Sequence, residues 1–371
     1  LHPWIFTDDV VASGSAEHGD LVRVHDTARA FLGIAFFSAR SKIALRFVSR
    51  SDVAPDRAFW FSRVAEALAR RGREVARWSA RRLLFAEGDG VPGLIVDLYG
   101  THLVFQALTV GAERVVPDVL AAIGERLPVD SVLARNDPSV RTLEGLAREV
   151  RQVSGQTPAE IVIDEEGVRF AVDPWRGQKT GAFLDQRENR LASRRYAHGR
   201  VLDVFAYQGS FALHAATAAV EVTVVDSSSS AMTAARANAE RNAATNLTFV
   251  EANAFEDLRL RERRGERFDL VLLDPPAFAK SRGDVPAARR GYKELNLRAL
   301  RLLAPGGVLM TSSCSYHLDE PAFAGLLREA ADDAGVQALV LERRGQAADH
   351  PVRLAFPEGR YLKCHVLRET S

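Results

Sequence analysis

Val201-Leu-Asp-Val-Phe-Ala-Tyr-Gln-Gly-Ser-Phe211 is the stretch from which the chain is best read. Val201, Leu202, Asp203 and Val204 form a buried-strand pattern, and an aromatic, a glycine and a small polar residue then turn the chain into the Ala-rich apolar run Ala212–Ala219. The pattern is strand, tight turn, helix. Gly209 has no Cβ and so lets a ligand or a second backbone approach closely. The next apolar run, Val222-Thr-Val-Val, ends in Asp226, an acid placed to accept hydrogen bonds from ribose hydroxyls. The turn has a single glycine and is not the G-x-G-x-x-G loop that cradles a pyrophosphate. The reading is therefore a nucleoside site without phosphates, which points to S-adenosylmethionine rather than NAD. An ordinary α/β turn with an incidental acid would look similar, because fold motifs alone say little about function.

The rest of the chain sets the limits of that reading. Its 371 residues suffice for two or three domains, and 47% hydrophobic with 26% charged residues is a folded, water-soluble composition. No apolar run approaches the ~18 residues of a membrane span, and no secretory signal opens the chain, so a cytoplasmic protein is expected. Cys314 and Cys364, too few and too far apart for a disulfide framework or a metal knuckle, leave no metal site in view. The net charge of +1 is neutral on nucleic acid, although five of the 49 basic residues are lysines and the remainder are arginines. Arginine suits phosphate and base contacts, but a GC-rich genome produces the same bias.

From the N-terminus, Asp20–Val24, Phe31–Phe37 and Ile43–Val48 read as short strands with Arg23, Arg29, Arg40, Lys42, Arg46 and Arg50 among them. Together they suggest a small basic β-barrel, either a nucleic-acid module or simply a solvated surface. Asp56–Arg77 reads as a helix. Strands at Leu83–Ala86, Leu94–Leu98, Leu103–Leu108, Ser131–Ala134, Ile161–Asp164 and Val168–Val172, with a helix at Val115–Arg126, form a second unit. Beyond residue 176 strands and helices alternate, which implies a parallel sheet covered on both faces. Its seven strands are expected at Val201–Phe205, Glu221–Asp226, Leu247–Glu251, Phe268–Asp274, Val308–Ser313, Gln337–Glu342 and Tyr361–Leu367, with Pro305-Gly-Gly307 ending the helix before the fifth. The fold class is α/β, with domains expected at 1–72, 73–175 and 176–371.

Two strand ends carry chemistry. The fourth runs into Asp274-Pro275-Pro276-Ala277-Phe278, a stiff loop with a carboxylate for a ring edge and an aromatic for a ring face. The fifth runs into Ser313-Cys314-Ser315, bringing a thiol to the same edge. A thiolate is a good nucleophile toward C6 of a pyrimidine, and attack there turns C5 into a carbon able to accept a methyl group. Cys364, within the last strand, reads as structural. The polar stretch Gly177–Arg190 offers Lys179 and Arg187 for a methionine carboxylate and Gln186 for a polar tail, or else is a loop leading into a helix with Asp185 near its start.

GQKTGAFLDQRENR, VLDVFAYQGSF, LDPPAFAKS and TSSCSYHL together resemble the bacterial ribosomal RNA cytosine-5 methyltransferases that carry an N-terminal PUA domain. His2-Pro-Trp-Ile-Phe6, Gly19–Val22 and Ser41–Arg46 are similar to their PUA domain, and Arg82–Gln106 to their middle domain. The resemblance implies a class I methyltransferase domain using S-adenosylmethionine, an N-terminal PUA β-barrel and a small α+β middle domain. It implies Cys314 as nucleophile, Asp274 as the acid at cytosine N3, and Pro275, Pro276, Phe278 and Lys280 on the RNA side. The cofactor set is then Asp203, Phe205, Tyr207, Gly209, Asp226, Asn253 and Ala254 with Lys179, Gln186 and Arg187. Gln208, Ser210 and Asn253 depart from the residues many relatives carry. Ala277 stands where two-cysteine enzymes have their second thiol, which favours a one-cysteine scheme. The partner implied is ribosomal RNA, of the large subunit, and the resemblance leaves a homodimer open. Uridine C5 or guanine N7 methylation, and a non-catalytic assembly factor, are the alternative functions.

Overall fold

Short alternating apolar runs separated by turn residues make the beginning of the chain an antiparallel sheet. In the computed structural model, which describes residues 1–279 and 281–370, β1 (Trp4–Phe6), β2 (Leu21–His25), β3 (Phe31–Phe37) and β4 (Ile43–Ser49) pair in the order β1-β4-β3-β2. Val24, Ala35, Ala44, Leu45 and Phe47 form its buried cluster. The helix α1 (Arg57–Ala76) starts where the Asp56 carboxylate accepts the Phe59 amide at 2.9 Å. It kinks at Gly72, whose φ is 58°, next to the boundary expected from sequence.

The following elements are β5 (Ala80–Phe85), α2 (Ala86–Asp89), β6 (Leu94–Tyr99), β7 (His102–Ala107), α3 (Val110–Gly124), β8 (Ser131–Asn136) and β9 (Glu149–Gly155). Their five-stranded sheet runs β5-β6-β7-β8-β9 and is parallel only between β7 and β8, where α3 supplies the crossover. All of these elements belong to one compact unit, Leu1–Ile163 with Val172–Leu184 and Ala348–Gly359. The hairpin of β10 (Ile161–Glu165) and β11 (Val168–Val172) follows, turning at Glu166 and Gly167, both at positive φ.

The second unit comprises Asp164–Ala171, Asp185–Ala347 and Arg360–Ser371. It is built from α4 (Arg187–Ser193), β12 (Arg200–Val204), α5 (Ser210–Ala216), β13 (Glu221–Asp226), α6 (Ser229–Arg241), β14 (Leu247–Glu251) and α7 (Ala254–Arg263). Then come β15 (Phe268–Leu273), α8 (Val285–Arg301), β16 (Leu303–Ser313), α9 (Glu320–Ala334), β17 (Ala338–Arg344) and β18 (Lys363–Glu369). The sheet order is β14-β13-β12-β15-β16-β18-β17, with β18 antiparallel to both neighbours and the other neighbouring pairs parallel. This is the seven-stranded arrangement expected from the sequence.

The two faces follow the period of 2 along each strand. Leu202, Val204, Val271, Leu273 and Leu309 point to one core with Leu258, Leu295 and Phe323 of α7, α8 and α9. Val201, Val222, Val224, Leu270, Leu272 and Met310 point to the other with Phe211, Ala215 and Met232 of α5 and α6.

Pro305-Gly-Gly307 does not end a helix. The α8 helix stops at Arg301 and β16 begins at Leu303, opposite Phe268, with the Pro-Gly-Gly segment taken up in a register shift before Val308 pairs with Leu270. Glycine at φ 76° (Gly306) serves a β irregularity as readily as a helix cap. Likewise α3 begins at Val110, capped by Thr109, rather than at Val115, and α2 is a single helical turn closed by left-handed Gly90.

Candidate active site

Strand register sets the site. Val225, Val204, Leu273 and Thr311 stand side by side across β13, β12, β15 and β16, so the residues following them emerge along one edge. The Phe205–Gly209 turn, Asp226, Asp274 and the Cys314 loop all leave from this row, the location at which open α/β sheets bind ligands.

The turn is tightly wound. Phe205, Tyr207 and Gly209 have φ of 64°, 51° and 77°, three left-handed residues in five. Asp226 holds it from the next strand, with one carboxylate oxygen accepting from the Tyr207 amide and the other from the Ser228 amide, both at 2.9 Å. Asn238 of α6 donates to the Gln208 carbonyl at 3.1 Å, and Gln208 is buried, so the unusual residue of the turn belongs to its packing. A Cβ on Gly209 would lie 3.2 Å from the Ala235 methyl. The glycine therefore makes room for helix α6, the second-backbone option of the sequence reading. Asp203 is buried and accepts from the Ala212 amide at 2.9 Å in the first turn of α5. Burial pushes its carboxyl well above the ordinary aspartate range. The Ala212 amide opposes that shift, and the neighbouring Asp274 and Asp226 reinforce it.

This donor set fits S-adenosylmethionine. Asp274 and Asp226, both close enough for Asp203 to sense, would repel a pyrophosphate, and the Ala212 amide that a phosphate would want is already taken by Asp203. A cationic sulfonium and a neutral nucleoside meet no such penalty. Asp226 retains lone pairs for a ribose diol. Asn253 is the N-cap of α7, accepting from Phe255 at 3.0 Å and more distantly from Glu256, and beside it Ala254 is buried.

In the loop after β15, Asp274 accepts from the Gln186 side-chain amide at 2.7 Å. Gln186 in turn accepts from Asn189 at 2.6 Å, and Asn189 accepts from Arg344 at 2.9 Å. Gln186, expected from sequence at the cofactor, is bonded to the Asp274 carboxylate. Arg187 is fully buried and 3.9 Å from Glu188, so contact with a methionine carboxylate would require its surroundings to part. Lys179 belongs to the other compact unit, where its ammonium lies over the Phe183 ring at 4.7 Å. Pro275 is buried and Pro276 exposed, while the Phe278 ring packs on Tyr292 at 4.7 Å and on Phe255 at 6.2 Å. Lys280 lies outside the described residues.

Cys314 is half-buried and follows the buried polar run Thr311-Ser312-Ser313. Ser315 ties its loop down. The Ser315 hydroxyl is 2.9 Å from the Tyr292 hydroxyl and accepts the Ala279 amide at 3.3 Å, which joins the loop after β15 to the loop after β16. Cys364 is enclosed in β18 and burial pushes its thiol up to about 12, in keeping with a structural role. The sequence reading missed Ser315, Tyr292, Asn189, Arg344 and Lys363. Of these only Lys363 left a signal, as a charge inside a predicted apolar strand. In the N-terminal sheet Arg46 is paired with Glu87 at 3.1 Å and Arg23 with Asp52, so those two cations have protein partners.

Among the described residues, no helix is long and apolar enough to cross a membrane and no cluster of three or more His, Cys, Asp or Glu is placed to hold a metal. Residues 146–353 match the S-adenosylmethionine-dependent methyltransferase family model, and residues 1–50 match a PUA-like domain. The ribosomal RNA large subunit methyltransferase I of Tolumonas auensis is 41% identical, with 99% of this chain and 95% of the relative covered. The enzyme of the same name from Vibrio cholerae is 38% identical over 99% and 96%. A structure solved in complex with SAH superposes with a TM-score of 0.86 at 21% identity, covering 99% of this chain and 95% of its own, and a Streptococcus mutans structure with 0.84 at 21%, with the same coverage; these likenesses carry the fold. With a cofactor edge suited to a sulfonium nucleoside and relatives matched from end to end, the chain belongs to the S-adenosylmethionine-dependent methyltransferases, in the family of ribosomal RNA large subunit methyltransferase I.

Proposed function

We propose that this protein methylates carbon 5 of a cytosine in large-subunit ribosomal RNA, acting in the cytoplasm through a covalent adduct with Cys314. The observation that carries the reading is the joining of the Asp274 and Cys314 loops through Ser315, because the scheme needs an acid and a thiolate at one ring. The Cys314 sulfur bonds to C6 while Asp274 gives a proton to N3, and the ring electrons gather at C5. S-adenosylmethionine, when bound, supplies a methyl group on a sulfonium sulfur. Once C5 carries the methyl, a base takes the C5 proton, those electrons re-form the C5–C6 double bond, the S–C6 bond breaks to return the thiolate, and the N3 proton passes back to Asp274. Asp226 and the Phe205–Gly209 turn hold the nucleoside, with Asn253 and Ala254 beside the adenine. Pro275, Pro276, Phe278 and Lys280 shape the RNA side. Residues 1–72 serve as the RNA-binding domain, 73–175 as the middle domain and 176–371 as the catalytic domain.

The test uses labelled cofactor and deproteinised large-subunit RNA, with the modified base mapped by sequencing and mass spectrometry. Wild-type protein is expected to form 5-methylcytosine at one position. Cys314→Ala is expected to lose transfer while still binding SAH. Full transfer by that variant removes the covalent scheme, and methyl found on uridine or guanine removes the cytosine assignment.

A further inference from the structure

Arginine is the default cation of this chain, and lysine occurs only at positions 42, 179, 280, 293 and 363. Lys363 is the buried one among the four in the described set, 2% exposed at the start of β18. It sits opposite Ser313 in the β16–β18 register, the residue before Cys314. Its Nζ donates to the Ser315 carbonyl, the residue after Cys314, at 2.7 Å, and to the Tyr361 carbonyl at 2.8 Å. Lys363 therefore meets the chain on both sides of the cysteine, by its backbone before it and by its side chain after it. An ammonium inside a protein is costly unless it has partners. Two carbonyls satisfy two of its protons, which leaves its charge for whatever acid lies beside it.

We propose that Lys363 is a positioning residue for Cys314, one that fixes the loop after β16 through the Ser315 carbonyl and sets a positive charge beside the thiolate. The idea rests on Cys314 being the nucleophile, and its test is separable from that reading. Burial lowers the Lys363 ammonium to about 8, and Cys314, Glu320 and Asp319 each act to raise it, so thiol and ammonium are close enough for their charges to couple. Other charged or titratable groups near the pair include Tyr292 of α8, whose hydroxyl meets Ser315, His365 of β18, bonded to Glu320 at 2.6 Å, and Arg360, 3.5 Å from the same Glu320. Glu320 is thus shared with His365, and the carboxylates at the start of α9 do not cancel the lysine alone.

The measurement is the pH dependence of Cys314 alkylation by iodoacetamide, located by peptide mass spectrometry so that Cys364 does not interfere. In Lys363→Met the half-point is expected to move to higher pH, with alkylation near neutrality about tenfold slower for a one-unit rise in the thiol. Lys363→Arg is expected to restore most of the shift. Methyl transfer by Lys363→Met falls in kcat while SAH affinity, read by calorimetry, stays within twofold. Lys363→Gln, which keeps a donor for one carbonyl, is the second variant and is expected to move the half-point in the same direction. An unshifted half-point in a folded uncharged variant overturns the proposal. So does loss of folding in both uncharged variants, which would assign the lysine to the fold alone. Because alkylation needs no RNA, these outcomes stand apart from the Cys314→Ala transfer assay, whose failure would remove the covalent scheme instead.

Discussion

Gln186 shows how much of a site can hang on one amide. Its side chain donates to Asp274 and accepts from Asn189, a relay that continues to Arg344. A carboxylate that must present one oxygen to a ring edge needs such a brace, because catalysis is lost steeply with misplacement. Gln186→Leu keeps the volume and removes the relay. It is expected to lower kcat by roughly 100-fold, the cost of an ångström-scale misplacement, with SAH affinity unchanged. A weakened SAH affinity with kcat intact would return Gln186 to the cofactor, where the sequence alone had put it. The placement of Asp274 and Cys314 at one sheet edge was legible because each follows an apolar strand of the parallel sheet. Gln186, Ser315 and Lys363 were not legible as an ensemble, because their partners lie far along the chain and no local spacing encodes a hydrogen bond from residue 186 to 274.

At the scale of elements, legibility tracked burial. The central strands β12, β13, β15 and β16 are apolar on both faces and announced themselves. The edge strand β9, largely exposed along Glu149–Gly155, and the helix α7, with Ala254 and Leu258 as its buried apolar residues, did not. Neither presents the stripe that periodicity detects. The start of β16 was misread for another reason: Pro and Gly signal a break without saying whether a helix or a strand is interrupted. The Phe205–Gly209 turn was legible as a turn, but the neighbour that demands its glycine was not. Gly209→Ala sets a methyl 3.2 Å from Ala235 at a φ of +77°. The substitution is expected to cost about 1–3 kcal/mol, the range for a residue forced into left-handed backbone. It is also expected to weaken SAH binding, since Tyr207 and Asp226 share the turn. Thermal unfolding followed by circular dichroism, with SAH calorimetry, reads both, and an unchanged melting temperature would contradict the packing account.

At the scale of the whole molecule, a net charge of +1 on 49 basic and 48 acidic residues conceals extensive internal pairing. Buried pairs such as Arg71–Asp89 and Arg82–Asp97, at 2.6 and 2.8 Å, spend arginines on structure, and the arginine bias therefore overstates the surface offered to RNA. In the second unit the corresponding pair is Glu165 with Arg190 at 2.6 Å, and His214 approaches the same carboxylate at 3.1 Å. Burial alone would raise the Glu165 carboxyl, but Arg190 and His214 outweigh it and hold it at about 2. A carboxyl lowered on folding stabilises the native state above its unfolded value, near 4.5, and that contribution is lost as pH falls toward about 2. Glu165→Gln leaves the Arg190 guanidinium buried without its counter-charge, and it is expected to lose about 3–5 kcal/mol near neutrality. The gap between wild type and variant then narrows on acidification through the interval from 4.5 to 2. Trp4, Trp60, Trp78 and Trp175 all belong to the first unit, so tryptophan fluorescence is blind to this change. Hydrogen exchange at the amides of α4 and α5 is the appropriate readout, because those helices carry Arg190 and His214. A variant whose exchange matches wild type near neutrality, or a gap that stays constant across the acid range, would show that the buried Arg190 does not depend on the Glu165 charge.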